Sequence, residues 1–473
     1  MPTIPFPYLR PLQQLLALLL AAGSPVANAA VITVSTPASL HQALASARAG
    51  DEVVLRPGIY PLQRFESHHG GTAAAPIRLV ARPPHQAIIQ ARRQETFSIY
   101  HPHWQFEDLV IRGTATTEHA FHLSENADDI MIRNNQLIDF HSHIKANGKL
   151  GAFPDRGVIE GNLIYNRAPR ETSAPVSPID IVGGRDWVIR ANTLRDFGGR
   201  RQDQIAYGVF LKGNSRNGLI ERNLVICADQ HQGGWRIGLS LGGGGTAPPY
   251  CEQQDCSYEH RNGVIRNNVV LNCSDAGIYL KRASASLIEH NTLLLTRGVD
   301  VQLSPSSAVI RRNLIDGVIE ARKGGRIKAS DNVINSWNLY ARFDVAAARL
   351  SHRISDYPAK YPSVFSQGFI AWLQQRLEAS GRWLAESPLG LGHSGTRRQL
   401  PAINDANLAG LAEEALWRPE LSPTLASDFW GRQRPAKGVY VGAIDLRTSA
   451  CNLQPRIASP LQPSTLPCLQ TQK

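Results

Sequence analysis

The hydrophobic positions of this chain recur in short segments that resemble one another closely. A typical copy is Gly263-Val-Ile-Arg-Asn-Asn268, in which aliphatic residues precede a final asparagine. Eight copies end at Asn135, Asn162, Asn192, Asn223, Asn268, Asn291, Asn313 and, imperfectly, Asn332. These asparagines are 27, 30, 31, 45, 23, 22 and 19 residues apart. Such a period predicts a β-solenoid, because one coil is too small to bury its own apolar face and coils must therefore stack.

A second apolar strand lies between successive asparagine segments, and its residues alternate in character. Alternation places successive side chains on opposite faces of a strand. The predicted inward row is Leu123, Ile144, Ile181, Leu211, Leu239, Leu280 and Val301. One predicted outward row is His122, His143, Asp180, Phe210, Gly238, Tyr279 and Asp300. The other is Ser124, Lys145, Val182, Lys212, Ser240, Lys281 and Gln302.

Stacking turns these rows into a candidate site. Because coils lie about 4.8 Å apart, we expect His122, His143 and Asp180 to be consecutive neighbours. Lys145 and Lys212 should then lie about 10 Å apart on the same face. An exposed lysine on a strand is ordinarily only solvated, and the histidines could also be plain surface residues.

The irregular spacings indicate where the site lies. A minimal coil takes about 22 residues, and the intervals of 27, 30, 31 and 45 all fall between Asn135 and Asn268. Extra loops in that stretch are expected to wall a groove, and loops on a rigid scaffold commonly carry function. These loops contribute further polar residues: Lys149, Asp155, Arg156, Arg170, Arg200, Arg201, Asp203, His231 and Arg236.

The chain ends differ from the repeats. Residues 1–29 read as a secretory signal, with Arg10, an apolar run at 15–20 and a small-residue cleavage site at Ala27-Asn28-Ala29. The run is too short to span a bilayer, and no later segment is long and apolar enough to do so. Thr36-Pro37 opens a helix expected to cap the solenoid at residues 30–340. Residues 341–446 form a partly helical extension expected to pack on it, and residues 447–473 an irregular tail.

The cysteines and the net charge indicate the cellular compartment and the kind of binding partner. Cys251 and Cys256 bracket one loop, and Cys451 and Cys468 bracket the tail, so these pairs can form disulfides in an exported chain, periplasmic or extracellular. Cys227 and Cys273 could meet between adjacent coils. Buried free thiols are, however, more plausible for these two cysteines than for the Cys251–Cys256 and Cys451–Cys468 pairs. The formal net charge of +11 favours an anionic partner, here an acidic polysaccharide. No arginine-rich tail or aromatic-basic motif indicates nucleic acid, and we expect a monomer.

The entry to the solenoid resembles a known superfamily. The capping helix is followed by Ala-Gly-Asp-Glu-Val-Val-Leu-Arg-Pro-Gly-Ile-Tyr (49–60), Gly71-Thr72 and Ala75-Pro-Ile-Arg-Leu-Val-Ala81. This resembles secreted right-handed parallel β-helix proteins of the pectate-lyase-like superfamily, nearest in look to the alginate lyase and chondroitinase B family. The resemblance covers roughly residues 35–340, and the segment from Phe429 to Asp445 resembles a closing segment common in such proteins. It implies an all-β, right-handed parallel β-helix and a polysaccharide lyase.

The resemblance also implies a reaction and residue roles. In that family a lysine is the base, an arginine is the acid, and acidic residues bind calcium that neutralises the substrate carboxylate. Lys212 lies where the family has its arginine, Arg185 where it has its lysine, and only Asp180 matches the calcium ligands. Because lysine and arginine are exchanged, Lys145 or His143 could supply the base, with Arg185 and Arg236 clamping the carboxylate. Further candidate substrate-binding residues are His122, Tyr279, Lys281 and Arg282.

Other functions remain open at this stage. A glycoside hydrolase would need two carboxylates, for which Asp180 and Asp203 are the candidates. A uronate C5-epimerase would share the fold and substrate, but its Asp-Pro-His-Asp signature does not occur. His122, His143 and Asp180 could instead hold a transition metal. A non-catalytic glycan-binding or scaffold β-helix is also compatible, since a fold does not determine a function.

Overall fold

The protein is a right-handed parallel β-helix in which each coil contributes one strand to each of three parallel sheets. The computed structural model describes residues 29–201, 203–231, 233–335, 417–418, 425–429, 431–434 and 438–443. In chain order a coil passes through the first, second and third sheets, and coil stacks upon coil. The fold implied by the resemblance is therefore confirmed by the strand pairing itself.

The sheets have the following strands. The first sheet contains β1 (Val31–Val34), β2 (Glu52–Leu55), β5 (Ile77–Ala81), β8 (Trp104–Glu107), β11 (Met131–Arg133), β14 (Val158–Glu160), β17 (Val188–Arg190), β21 (Leu219–Glu221), β25 (Val264–Arg266), β29 (Ser286–Glu289), β32 (Ser307–Arg311) and β35 (Arg326–Ser330). The second contains β3 (Gly58–Leu62), β6 (Ala87–Ala91), β9 (Val110–Arg112), β12 (Gln136–Ile138), β15 (Leu163–Tyr165), β18 (Thr193–Arg195), β22 (Leu224–Ile226), β26 (Val269–Leu271), β30 (Thr292–Leu294), β33 (Leu314–Asp316) and β36 (Val333–Asn335). The third contains β4 (Phe65–Glu66), β7 (Glu95–Ile99), β10 (His119–Leu123), β13 (Ile144–Asn147), β16 (Ile179–Val182), β19 (Ile205–Lys212), β23 (Trp235–Leu241), β27 (Ile278–Lys281), β31 (Gly298–Gln302) and β34 (Val318–Arg322).

Smaller elements complete the fold. The short strands β20 (Ser215–Arg216), β24 (His260–Arg261) and β28 (Ala283–Ser284) form a minor parallel sheet, and β37 (Trp417–Arg418) pairs antiparallel with β38 (Val439–Tyr440). Two 3-10 turns lie at Pro248–Tyr250 and Glu252–Gln254. The helix α1 (Pro37–Ser46) is capped by Thr36 and buries Leu40, Ala43 and Leu44 on the first coils. It thereby covers the open end of the solenoid, as the sequence predicts.

The asparagines form one continuous ladder inside the solenoid. Asn192 is representative: its Nδ2 donates to Asn223 Oδ1 at 3.0 Å and to the backbone oxygen of Ile159 at 2.9 Å. Its Oδ1 in turn accepts from the backbone N–H and the Nδ2 of Asn162, at 3.0 and 2.9 Å. The same bonds link all eight asparagines from Asn135 to Asn332. The residue before each asparagine has a positive φ, so the amide bonds close a tight turn between the first and second sheets.

A second ladder runs along the outer face of the first sheet. Register places acidic and basic side chains alternately in one row: Glu107, Arg133, Glu160, Arg190, Glu221, Arg266, Glu289 and Arg311. Neighbouring members form ion pairs, with Arg266 Nε 2.8 Å from Glu221 Oε2 and Arg311 Nη2 2.9 Å from Glu289 Oε2. The arginine of each of these two pairs is partly exposed, so a single pair contributes little to stability. The alternation nevertheless ensures that stacking never sets like charges directly side by side.

The register of the third sheet corrects the predicted outward rows. Lys145, not His143, pairs beside Asp180, and Ser240, not Gly238, pairs beside Phe210. The expected alignment was wrong by two residues in both strands. A shift of two keeps the alternation of inward and outward positions, so the hydrophobic pattern could not detect it.

Two disulfides lie within the described residues. Cys251–Cys256 closes the predicted loop, and Cys227–Cys273 joins adjacent coils. The buried free thiols considered for Cys227 and Cys273 are therefore wrong, because stacking brings their Cα atoms within 4.9 Å. The Cys451 and Cys468 pair, the signal segment, the helix expected in the extension and the tail lie outside the described residues.

The described part of the closing segment packs against the turns between the first and second sheets. Arg222 Nε donates to the backbone oxygen of Phe429 at 3.0 Å, and Arg434 Nη2 donates to Asn267 Oδ1 at 3.1 Å. The backbone N–H of Ala443 donates to Thr292 Oγ1 at 3.0 Å. Among the described helices, none is long and apolar enough to cross a membrane.

Replacing one ladder asparagine should destabilise the whole solenoid. Asn223→Ala removes the amide that bonds Asn192 and Asn268 and leaves buried donors unpaired, so we expect a loss of about 3 kcal/mol in the free energy of unfolding. Urea unfolding followed by circular dichroism measures it. Asn126→Ala, at an exposed asparagine, is the matched control; equal losses in both variants would contradict a structural role for the ladder.

Candidate functional site

The outer face of the third sheet is walled along both edges. Loops 166–178, 196–204 and 227–234 precede strands β16, β19 and β23, and loops 148–157 and 242–259 follow β13 and β23. Loops of one wall contact each other: His231 Nε2 lies 2.6 Å from the backbone oxygen of Arg167, and the N–H of Leu150 donates to the oxygen of Pro249 at 3.0 Å. The long intervals therefore supply loops at both ends of the third-sheet strands, and the groove is the strip of the third sheet between these loops.

The floor of this groove is one outward row of side chains. In register order the row is Ser98, His122, Lys145, Asp180, Phe210, Ser240, Tyr279, Asp300 and Glu320. Two residues further along each strand, Asn147, Val182 and Lys212 form a parallel row. Lys145, Asp180 and Lys212 thus lie on neighbouring coils in the middle of the sheet, beside the long loops.

A cluster of Lys145, Asp180 and Lys212 occupies the middle of the floor. Asp180 Oδ2 accepts from Lys145 Nζ, and Asp180 Oδ1 lies 3.5 Å from Lys212 Nζ. Although burial would raise it, the two ammonium groups hold the pKa of Asp180 below its usual value. One carboxylate between two lysines leaves the cluster with a net positive charge.

Burial sets the state of Lys212. Only 18% of its side chain is exposed, and Nζ lies 4.2 Å from the centroid of the Phe210 ring. Burial lowers the pKa of Lys212, and the positive charge of Lys145 adds to the shift, while Asp180 and Glu259 oppose it. A lysine whose pKa is lowered in this way is a candidate general base.

An aromatic cluster borders the charges on the next coils. Tyr207 stacks on Phe210 with ring centroids 4.1 Å apart, and Tyr279 packs with them around Ile237. Burial raises the pKa of Tyr207 above its usual value and that of Tyr279 to about 12. Both phenols therefore keep their protons at neutral pH.

The glycine run 242–245 crosses this aromatic cluster. A Cβ at Gly243 would lie 2.5 Å from the Phe210 ring, so only glycine lets the backbone pass there. Lys281 Nζ donates to the backbone oxygen of Gly243 at 2.9 Å and holds the run in place. The run is thus a close-fitting segment of the wall.

At the other end of the cluster, His122 is held between coils. Its Nδ1 lies 2.8 Å from Glu95 Oε1, while its Nε2 lies 2.9 Å from Asn147 Oδ1 and 3.2 Å from Ser124 Oγ. The hydrogen bond from His122 lowers the pKa of Glu95 to about 2, although burial acts in the opposite direction. Glu95 is therefore ionised at neutral pH.

His119 belongs to the same face and was missed by the sequence analysis. Its ring centroid lies 5.3 Å from that of His122, and its Nδ1 lies 2.9 Å from the backbone oxygen of Ser142. Burial lowers its pKa to about 4, so the ring is neutral at neutral pH. It was missed because it begins β10 and precedes the alternating part of that strand. Its closeness in sequence to His122 was the one signal that could have indicated it.

Several predicted site residues lie elsewhere. His143 is fully buried in the turn before β13, where its Nε2 lies 3.2 Å from the oxygen of Tyr165, so the expected outward orientation is wrong. Arg236 is also buried and donates hydrogen bonds to the backbone of Gly233 and Cys227. Arg236 therefore holds a loop in place and is not available to bind the substrate carboxylate.

Other predicted residues reach the surface at different places. Arg185 is half-exposed and pairs with Asp155 at 2.7 Å, outside the central cluster. Tyr279 lies on the floor, Lys281 holds the glycine run, and Arg282 is exposed beyond the end of β27. Lys145 and Lys212 meet the prediction of a shared face, and both reach one carboxylate.

The residues around Asp180 do not fit a calcium site. Calcium takes about six to eight oxygen ligands, whereas both oxygens of this carboxylate face ammonium groups. In the part of the chain that the structure describes, no group of three or more His, Cys, Asp or Glu side chains is placed to hold a metal ion. The alternative with His122, His143 and Asp180 fails because His143 is turned away into the core.

Comparisons with known proteins give one family match over part of the chain. A family model described as "Periplasmic copper-binding protein (NosD)" matches residues 255–336, and the described part of this range, to residue 335, forms the last coils. No curated protein sequence matches the chain. The family description names a periplasmic protein, and the two disulfides within the described residues fit an exported protein.

Solved structures of low similarity include lyases and a hydrolase. A PL6 family polysaccharide lyase from Pseudopedobacter saltans is 14% identical over 64% of this chain and 92% of that chain, with a TM-score of 0.36. An alginate lyase from Paenibacillus sp. str. FPU-7 is 15% identical over 65% and 99%, with a TM-score of 0.37. A GH136 lacto-N-biosidase from Eubacterium ramulus is 12% identical over 64% and 68%, with a TM-score of 0.39. Similarities at this level carry no information about the chemistry of this chain.

The hydrogen bond from His122 to Glu95 should make the stability of the protein depend on acid pH. Its folded-state pKa is depressed, so its contribution is present above about pH 4.5 and is lost as pH falls towards 2. Between these limits wild type should lose about 2 kcal/mol more than Glu95→Gln in urea unfolding, after discounting for partial exposure. Glu171→Gln, at an exposed ion pair, should follow wild type; a Glu95→Gln curve parallel to wild type would contradict the depressed pKa.

Proposed function

We propose that this protein is a polysaccharide lyase that cleaves an anionic, uronate-containing polysaccharide by β-elimination. The observation that carries the proposal is the Lys145, Asp180 and Lys212 cluster, a net positive group with a half-buried lysine on the floor of a walled groove. Elimination requires neutralisation of the substrate carboxylate, a base for the adjacent proton and a donor to the leaving oxygen. The groove contains a residue suited to each task.

Lys212 is the proposed base. Its lowered pKa makes the free amine accessible, and its ammonium form can return the proton after each turnover. This role differs from the one implied by the family resemblance, in which the position of Lys212 belongs to the acid. Burial beside Phe210 is the physical reason for the reassignment.

Lys145 is the proposed partner of the substrate carboxylate. It already binds a carboxylate, Asp180, and the excess positive charge of the cluster stabilises the enolate-like intermediate. Tyr207 and Tyr279 retain their protons and can donate one to the leaving oxygen at C4. Asp180 contacts both lysines and positions them.

A glycoside hydrolase is less well supported. It needs one carboxyl group that stays protonated, yet the pKa values of Asp180 and Glu95 are both lowered. Asp203 pairs with Arg201 in an exposed loop. Burial raises the pKa of Asp275, but that residue precedes the strand three coils beyond Asp180, at about 14 Å against the ~6.5–9.5 Å of inverting enzymes.

Two other candidate functions make different predictions. A glycan-binding β-helix would retain the anionic polymer without changing it. The copper binding named in the family description would need ligands that the described residues do not group together. Absorbance at 235 nm, the usual wavelength for the 4,5-unsaturated product, distinguishes elimination from binding, hydrolysis and epimerisation.

Removal of the proposed base should abolish turnover. Purified wild type is screened by absorbance at 235 nm against alginate, glycosaminoglycans, pectate and glucuronan. On a polymer that wild type cleaves, Lys212→Ala should lower kcat by at least about hundredfold with the fold intact. Lys328→Ala, at an exposed lysine of the first sheet, is the control and should be fully active. Full activity of Lys212→Ala on a polymer that wild type cleaves would exclude Lys212 as the base.

The pH profile should report the environment of Lys212. Since the free amine is the active form, kcat/KM should rise with pH to an inflection below 10.5, the ordinary lysine value. Lys145→Met removes a positive neighbour and frees Asp180 to pair with Lys212, and both effects raise the pKa of Lys212. The inflection should therefore move to higher pH, as a series of initial rates would measure; a shift to lower pH would refute the assignment.

A further inference from the structure

A second group of side chains in the groove has the geometry of a nucleophilic site. Glu95 Oε1 lies 2.8 Å from His122 Nδ1, and His122 Nε2 lies 3.2 Å from Ser124 Oγ. His122 lies on β10 and Ser124 directly follows the end of that strand, while Glu95 comes from the preceding coil. The three residues form a carboxylate, imidazole and hydroxyl relay from one coil to the next.

The acidic member of the relay is firmly held. Ser98 Oγ donates to Glu95 Oε2 at 2.6 Å, and Arg64 Nη2 lies 3.2 Å from the same oxygen. A carboxylate held in this way orients the imidazole with its proton on Nδ1, which directs the Nε2 lone pair towards the hydroxyl. About a quarter of the His122 side chain remains exposed to the groove, so a substrate can reach it.

Asn147 completes the surroundings of the reacting atoms. Its Oδ1 lies 2.9 Å from His122 Nε2, where it can accept a hydrogen bond once the ring is protonated. Asn147 ends β13, the strand one coil beyond β10, and lies beside Ser124. Among the described residues its Nδ2 has no hydrogen-bond partner, so this donor is available to an oxyanion at Ser124.

We infer that Ser124, His122 and Glu95 form a serine esterase site that removes O-acyl groups from a sugar. The site lies about 10 Å, two coils, from Asp180, within the same groove. The ester chemistry stands independently of the proposed elimination. That the sugar belongs to an anionic polysaccharide rests on the proposed function.

The reaction balances with water as the only co-reactant. Ser124 Oγ attacks the acyl carbon and transfers its proton to His122 Nε2, and collapse of the tetrahedral adduct expels the sugar oxygen, which takes that proton. Water then attacks the acyl-serine ester, its proton passes through His122 to Ser124 Oγ, and a carboxylic acid leaves. Glu95 stays ionised and stabilises the imidazolium throughout.

A fluorophosphonate probe tests the nucleophile directly. The probe forms a phosphorus–oxygen bond with an activated serine and expels fluoride, and the added mass locates the residue in a peptide digest. We expect labelling of the full-length protein at Ser124, its loss in Ser124→Ala and Glu95→Gln, and its retention in Ser173→Ala, at an exposed serine with no histidine partner. An unlabelled wild type, or equal labelling in Ser124→Ala, would overturn the inference.

Turnover of esters provides the second measurement. Wild type should hydrolyse 4-nitrophenyl acetate, and Ser124→Ala should lose at least about hundredfold in kcat. Because the Ser124 side chain is half-buried and its one hydrogen bond among the described residues is to His122, its removal should leave the melting temperature unchanged, which separates lost chemistry from lost fold. Equal hydrolysis by both proteins would refute the serine as nucleophile.

The polymer is tested separately from the ester chemistry. Acetate released from an O-acetylated uronate polymer is measured beside absorbance at 235 nm, so failure of deacylation and failure of elimination are distinguishable. Release by wild type and not by Ser124→Ala supports the polysaccharide assignment. Hydrolysis of the small ester without release from the polymer would overturn that assignment.

Discussion

Everything in this protein depends on the stacking of coils at the spacing of a parallel β-sheet. No coil can satisfy its backbone or bury its apolar face alone, so each depends on its neighbours. The asparagine ladder is the most concentrated form of this dependence, because each amide bonds the coils on both sides from a buried position. The inner aliphatic and aromatic rows, such as Phe97, Phe106 and Phe121, fill the space that stacking encloses.

Stacking also brings reactive side chains from different coils together. Outward side chains that are many residues apart in sequence become neighbours, so Lys145 and Lys212 share Asp180, and Glu95 meets His122. Long loops then raise walls beside the third sheet and partly desolvate these groups. Burial is what lowers the pKa of Lys212, and a lysine on an unwalled strand would keep its ordinary value. The rigid coils and the variable loops thus have separate tasks.

Much of the fold could be predicted, and part of the site. The period, the ladder, the capping helix and the outward placement of Lys145, Asp180 and Lys212 all follow from spacing and alternation. Which outward residues lie side by side on neighbouring strands could not be predicted, because a two-residue slip in β13 and β23 preserves the alternation. His143 and Arg236 were misplaced for a related reason: each lies where a loop meets a strand, and there alternation no longer determines direction. The alternating Glu and Arg row of the first sheet is visible in the repeats themselves.

The sequence by itself determined the coil, because period and hydrophobic alternation are local and each repeat imposes the same geometry. It also determined which stretch departs from that period, and so the region of the groove. Only the tertiary structure decided which charges meet, which are buried and how the loops close around them. Those properties arise from register and desolvation, which depend on the relative placement of segments far apart in the chain. The pairing of Asp180 with two lysines and of His122 with Ser124 and Glu95 is therefore a product of stacking.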